Sequence, residues 1–396
     1  MNQHTVLFTS EAVTAGHPDR LCDSISDAIV DRFLCQDPGS RVITECAISK
    51  GVVFIAARLA SDVMIDLPET ARSVIREIGY HPKDFDAEGC TVVTSIIQMP
   101  VEQRCQDESL LSDAEIDRIV AQNQTTVFGF ACTHTPDLMP LPITLARHLA
   151  NQLSAARTHE ELACLSPDGT IQVGVELAGG IPRRLHTLAL ICGFQAGQII
   201  KPDRLQETLK TQVIEPVLQS MQLSLDPETR ILINPLGAHI RSGPATHSGM
   251  TGRKTANDTY GAYARHSGAA LSGKDPLRID RSGTYAARYA AKNVVSAGLA
   301  EACEVQLSYT IGQARPVSVE VDTFGTGTLK DEVIAKRLEE VFDFRVGAII
   351  RDLQLRQLPS RYPEGFYRHL PVAGHFGASF TELPWERTDK AAELKG

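Results

Sequence analysis

The chain lacks any apolar run near the roughly 18 residues that a bilayer-spanning helix requires, which predicts a protein outside the membrane. Its start, MNQHTVLFTSEAVTAGHPDR, has no basic segment leading into a long apolar one, so no export signal is expected and the cytoplasm is the expected location. No C-x-x-C pair occurs among the nine cysteines, an odd number, which argues against a zinc site or a disulfide framework and for reduced, mostly buried thiols. Basic charge is also in deficit, with 39 Lys and Arg against 48 Asp and Glu. The resulting net charge of -9 excludes broad binding to nucleic acid or acidic membrane, although local clusters can still hold small anions.

What is present describes an ordinary globular chain. Charged residues at 22% and hydrophobic ones at 43% argue against disorder, and 396 residues suffice for two or three domains, each with its own core. In RLCDSISDAIVDRFLC (20–35), Leu21, Ile25, Ile29 and Phe33 recur at helical spacing, and Asp23, Asp27 and Asp31 are expected on the wet face. RVITECAIS, GVVFIAARLA and GCTVVTSIIQ read as strands, with LPETARSVIREIGY a helix between the last two. From Met99 to about Gln124 the chain turns polar, as a loop or crossover would.

A second block follows, with a helix near 140–157, strands TIQVGVEL and RRLHTLALIC, and a long helix around 202–222. A third has a helix at about 283–298, strands CEVQLSYTI and PVSVEVDTF, and a helix near 330–342. Small sheets with helices on one face predict an α+β fold rather than a doubly wound α/β one.

Between 253 and 288 stand Arg253, Lys254, Arg265, Lys274, Arg278, Arg281 and Arg288 among glycines. Within this stretch GAALSGKD nearly spells a P-loop, but Asp275 takes the Ser/Thr position and Pro276 follows it. A P-loop needs a strand before it and a helix opening at the lysine; AYARHS is a poor strand, and proline pushes the residue before it toward extended backbone. The alternative is a polyphosphate site assembled from separate loops: Arg253 and Lys254 from SGMTGRK, Lys274, Arg278 and Asp280 from SGKDPLRIDRS, and His17, Asp19 and Arg20 from GHPDR. Guanidinium and ammonium groups suit anionic oxygens, and carboxylates suit a hard metal ion.

These segments, with QDPGSRVITE, TVFGFACTHTPDLMPLPITLAR, INPLG, RVGAIIRDL, GHFG and LPWERTDKA, resemble in order the methionine adenosyltransferase (S-adenosylmethionine synthetase) family, from residue 8 to about 391. The resemblance implies three similar α+β domains related by pseudo-threefold symmetry and discontinuous in sequence: 1–15 with 132–241, 16–101 with 242–282, and 111–131 with 283–396. It also implies homodimers, or dimers of dimers, with flat sheets face to face and active sites at the interface, using Mg²⁺ and K⁺. In the implied reaction the methionine sulfur attacks C5′ of ATP, and the released triphosphate is hydrolysed to pyrophosphate and phosphate. A thioether needs no general base, so catalysis must come from positioning and from cations aimed at the leaving group.

By motif, His17 corresponds to the family histidine near the attacked carbon, Asp19 and Asp280 to Mg²⁺ ligands, and Glu45 to the monovalent-cation ligand. Arg253, Lys254 and Lys274 correspond to triphosphate contacts, and Gln98 belongs with the substrate-binding set. Other positions depart from the family. Arg58 replaces a glutamate that helps hold methionine, His247 an aspartate near the methionine amino group, and Asn123 the aspartate of a glycine-rich loop. Thr170 replaces a phosphate-reaching lysine, Arg20 and Arg278 replace lysines, and Ala238–His239 replace an Arg-Phe pair whose ring stacks on adenine, a role His239 could still fill. Three readings follow: an ordinary synthetase with a drifted pocket, an enzyme that adenosylates a methionine-related acceptor, or a non-catalytic paralogue that pairs with an active subunit. Retention of His17, Asp19, Lys274 and Asp280 favours the first two.

Overall fold

The computed structural model describes residues 5–198, 200–237, 241–362, 364–377 and 382–396. The first part of the chain runs β1 (Thr5–Val13), α1 (Pro18–Gln36), β2 (Arg41–Ser49), β3 (Val52–Ala60), α2 (Leu67–Ile78) and β4 (Thr91–Gln98). After a polar crossover with one short helix, α3 (Asp113–Ile116), come β5 (Thr125–Cys132), α4 (Leu141–Ala156), β6 (Leu165–Ala178) and β7 (Ile181–Phe194). Then follow α5 (Pro202–Leu209), α6 (Glu215–Ser220), β8 (Arg230–Ile233), β9 (Gly249–Met250) and α7 (Thr255–Asp258). The last part contains α8 (Ile279–Ser296), β10 (Ala302–Tyr309), β11 (Ser318–Asp322), α9 (Asp331–Val341) and α10 (Val346–Asp352), then short helical turns.

Among the described residues the strands form three sheets, ordered β1-β6-β7-β8, β4-β3-β2-β9 and β11-β10-β5. Each is backed by one of the long helices: α4 on β1 and β6, α1 on β2, and α8 on β5 and β10. The expected α+β class is what is found. β1 pairs antiparallel with β6, and β5 with β10, so each of these sheets joins segments more than 150 residues apart. Neither β1 nor β5 is legible from period-two alternation alone; β5 is buried along most of its length, which erases the polar half of the pattern. Two apolar cores result: one joins α1, α2 and α8 to the second and third sheets, and the other lies between α4, α5, α6 and the first sheet.

The helix expected over 202–222 is broken. Residues 210–214 form a wide π turn before Pro216, whose missing N–H cannot serve the Gln212 carbonyl; Gln152 Nε2 donates to that carbonyl instead, at 2.9 Å.

A second correction concerns α1. Asp23, Asp27 and Asp31 are not on a wet face but fully buried, because this helix is enclosed on nearly every side. Each carboxylate has partners that replace water. Asp23 accepts from Arg20 and from the Gly252 N–H, Asp27 from Arg281 at 2.5 Å and the Gly273 N–H, and Asp31 from the N–H groups of Phe366, Tyr367 and Arg368. A helical stripe of aspartates therefore fastens three distant loops to α1.

The sheet of β4, β3 and β2 carries α1 and α2 on one face only. Its other face presents Val52, Phe54, Val93, Ile97 and Met250 to the outside. All nine cysteines are free and six of them are buried, in keeping with reduced thiols.

Candidate active site

Two chain turns create the first half of the site. His17 is the N-cap of α1, its Nδ1 accepting from the Asp19 N–H at 3.2 Å, and Pro18 begins the helix with the φ it requires. The turn before it is held down: Tyr80 donates its hydroxyl to the Gly16 carbonyl, and a side chain on Gly16 would strike Pro167, 2.3 Å from an added Cβ. On the other side Gly249 lies against Pro18, where an added Cβ would come 2.1 Å from the proline carbonyl carbon. Close backbone approach thus brings the 247–254 loop onto the first turn of α1.

Asp19, in that first turn, accepts from the Met250 N–H at 3.0 Å and from Lys254 Nζ at 2.6 Å, with Arg253 Nη1 3.6 Å away. Burial works against its ionisation, but the bond to Lys254, that ammonium charge and the Met250 N–H outweigh it and hold the carboxyl below the usual range. Burial lowers His17 to about 4, so the imidazole is neutral at pH 7. Beside it, His247 Nε2 meets Asp168 Oδ2 at 2.9 Å, and that hydrogen bond raises the pKa of His247 against the opposing effect of burial. The His17 and His247 rings stand 5.1 Å apart.

The second half is built on the first turn of α8. Asp280 is buried; its Oδ2 accepts from Lys274 Nζ at 2.8 Å and its Oδ1 from Asn123 Nδ2 at 3.1 Å. Burial lowers the pKa of Lys274, and the charge of Asp280 opposes that shift. Asn123 Oδ1 and Arg278 Nε are both buried without a partner among the described residues, polar atoms available to a bound group. Lys274 is held by the free edge of β2: it bridges Ile43, Thr44 donates to the Gly273 carbonyl, and Asp275 accepts from the Val42 N–H. This answers the near-match to a P-loop. No strand precedes it, and Asp275 ties the loop to a sheet edge.

Because β9 meets the same edge at Ala47, the two halves lie four strand residues apart, roughly 14 Å at about 3.4 Å per residue. One cross-strand row reads Ile97, Arg58, Ile43, Lys274, so Arg58 and Lys274 leave the same face of the sheet, with Glu45 two residues along β2. Arg58 and Glu45 are exposed there, with Arg58 Nη2 4.0 Å from Met99 Sδ, whereas Gln98, paired with Leu59, is exposed on the opposite face.

The structure divides the expected cationic cluster. Lys254 and Lys274 face the acidic site residues, with Arg253 beside them, whereas Arg281 and Arg288 are buried struts on Asp27 and Glu386, and Arg265 pairs outside with Glu304. Arg20 turns inward onto Asp23, Asp258 and the Lys254 carbonyl, so the phosphate role expected of it is corrected to a core one. Thr170 lies on β6 opposite Val13, and His239 falls outside the described residues. Asp168 is the residue that sequence reading missed. Its SPDGT context resembles a simple turn, and only the fold brings it to His17 and His247.

Comparisons with known proteins cover nearly the whole chain. Family models of the S-adenosylmethionine synthetase N-terminal, central and C-terminal domains match residues 5–100, 118–239 and 241–387. The S-adenosylmethionine synthase of Microcystis aeruginosa is 45% identical over 403 residues, covering 98% of this chain and 97% of the relative. That of Crocosphaera subtropica has the same identity and coverage, and that of Trichormus variabilis is 45% identical over 407 residues, covering 98% and 96%.

Proposed function

Since the chain belongs to the S-adenosylmethionine synthetase family, we propose that it transfers the adenosyl group of ATP to the sulfur of methionine. In this step the S–C5′ bond forms as the C5′–O bond breaks, and triphosphate leaves with the bonding pair; water then splits it into pyrophosphate and phosphate. The observation that carries the proposal is the pair of buried aspartates in the first turns of α1 and α8, each held by a lysine. Lys254, Arg253 and Lys274 bind the triphosphate and stabilise its growing charge, and neutral His17 donates a hydrogen bond beside the attacked carbon without adding an acid-base step.

The same donor set fits a hard cation. Asp19 and Asp280 would hold Mg²⁺, which supplies charge neutralisation of the phosphates when bound, and the Glu45 carboxylate would hold K⁺. Asn123, Gln98, Arg278 and His247 are assigned to substrate contacts. We further propose a cytoplasmic enzyme divided into the three discontinuous units 1–15 with 132–241, 16–101 with 242–282, and 111–131 with 283–396, in keeping with sheet membership. It works as a homodimer or a dimer of dimers: the exposed apolar face carrying Arg58 and Glu45 is the surface a second copy would cover.

A second reading, a methionine-related acceptor, is favoured at one point: Arg58 puts a guanidinium on the face shared with Lys274. Incubation with ATP, Mg²⁺, K⁺ and a panel of thioethers, followed by mass spectrometry, tests both readings. Formation of S-adenosylmethionine with pyrophosphate and phosphate is expected. Absence of any adenosylated product or of phosphate release would refute catalysis and leave the paralogue reading.

A further inference from the structure

Asp168, His17 and His247 meet although they come from three separate segments: the start of β6, the cap of α1 and the loop before β9. One ligand atom from each lies within 4.8 Å of the others. We propose that these residues form a two-histidine, one-carboxylate site for a borderline divalent transition ion of the Zn²⁺ class, distinct from the Mg²⁺ set.

The geometry singles out the ligand atoms. His17 Nδ1 is occupied by the Asp19 N–H, which leaves Nε2 as its free nitrogen. Asp168 is anchored by the Gly243 N–H at 2.7 Å, so its carboxylate is held at a fixed place and orientation before any ion arrives. His247 is the exposed arm: its side chain is 43% exposed, against 12% for His17 and 6% for Asp168. Metal–nitrogen and metal–oxygen bonds of about 2.0–2.2 Å at a tetrahedral centre set ligand atoms roughly 3.4 Å apart. The 2.9 Å contact between His247 and Asp168 therefore opens by a few tenths of an ångström, and the widest pair closes by roughly 1.5 Å. A turn of the half-exposed His247 ring provides the first of these movements.

Ligand type provides the selectivity. Imidazole nitrogens are poor partners for Mg²⁺ and good ones for Zn²⁺, Co²⁺ or Fe²⁺, whereas Asp19 and Asp280 offer oxygen alone. Three protein ligands leave an open coordination position toward solvent, on the side of the exposed histidine. An ion bound here occupies His17 and so competes with Mg²⁺-ATP. That consequence rests on the adenosyl-transfer reading, but the binding itself does not.

The test is titration of the full-length, metal-stripped protein with Co²⁺ in the absence of ATP, read by visible absorption and calorimetry. One ion per subunit, micromolar affinity, a d–d spectrum without thiolate charge transfer, and persistence in millimolar Mg²⁺ are expected. His247→Ala should weaken binding at least tenfold with an unchanged circular dichroism spectrum, Cys35→Ser should leave it intact, and His247→Asp should shift preference from Co²⁺ toward Mn²⁺. Binding that survives His247→Ala, shows sulfur-to-cobalt bands, or is lacking at micromolar Co²⁺ would overturn the site. Because no turnover is measured, such a failure leaves the proposed reaction standing.

Discussion

The two ends of the candidate site are built on different principles. At the proposed phosphate end, Asp19 and Asp280 are buried, each is clasped by a lysine, and each sits beside an arginine that turns the other way into the core. At the proposed acceptor end, Arg58 and Glu45 stand exposed on one face of the sheet and Gln98 on the other. The buried carboxylates are therefore already paired within one chain, while the exposed side chains face outward. The repeated Asp-Arg pair shows how this is done: the first turn of a helix sends consecutive side chains about 100° apart, one to the site and one to the frame.

Breaking the frame beneath the phosphate end should have the largest effect. Arg281 pairs with Asp27 at 2.5 Å, donates to the Leu271 carbonyl at 2.6 Å and lies over the Tyr367 ring. Arg281→Met leaves a buried aspartate uncompensated, at a cost of about 3–5 kcal/mol, measurable by urea unfolding. Arg281→Met with Asp27→Asn should recover a good part of that loss, since no charge then stays unpaired. A double variant no better than the single one would show that the pair is not what holds α8 against α1.

Removing a charge on the site side should leave the frame intact and remove the chemistry. Asp280→Asn keeps a hydrogen-bond acceptor for Lys274 but loses the hard anionic oxygen, and turnover should fall by about 100- to 1,000-fold with little change in unfolding. Undiminished activity would take Asp280 out of the site.

These two substitutions, one residue apart in the chain, also mark what the sequence could tell. Motif spacing was enough for the α+β class and for the strands that alternate cleanly, such as β2. It failed where burial on both faces removed alternation, as in β5, and where charge was read as exposure, as in Asp23, Asp27 and Asp31. Charged side chains are seldom fully buried unless paired, and their partners, Arg281 and the backbone of 366–368, lie some 250 to 340 residues away. Asp168 was invisible for the same reason: its neighbours are set by the fold, not by local spacing.

The smallest expected effect lies at the acceptor end, and it measures how far that end has been rebuilt. Arg58 occupies the strand position where the resemblance places a glutamate for the methionine amino group, and its row across the sheet leads to Lys274. Two unit charges about 4 Å apart at an effective dielectric of about 20 interact by about 4 kcal/mol. An exposed side chain that can rotate away keeps only a fraction of this, and about 1.4 kcal/mol is already tenfold in affinity. L-Methionine should therefore be used weakly, with 3-methylthiopropionate, which keeps the carboxylate and lacks the ammonium, the better acceptor. Arg58→Glu should lower the KM for methionine about tenfold. Steady-state kinetics with both acceptors decides the matter. A micromolar KM for methionine in the natural protein, with no turnover of the analogue, would mean that the acceptor end is made good by contacts from the partner surface rather than altered in specificity.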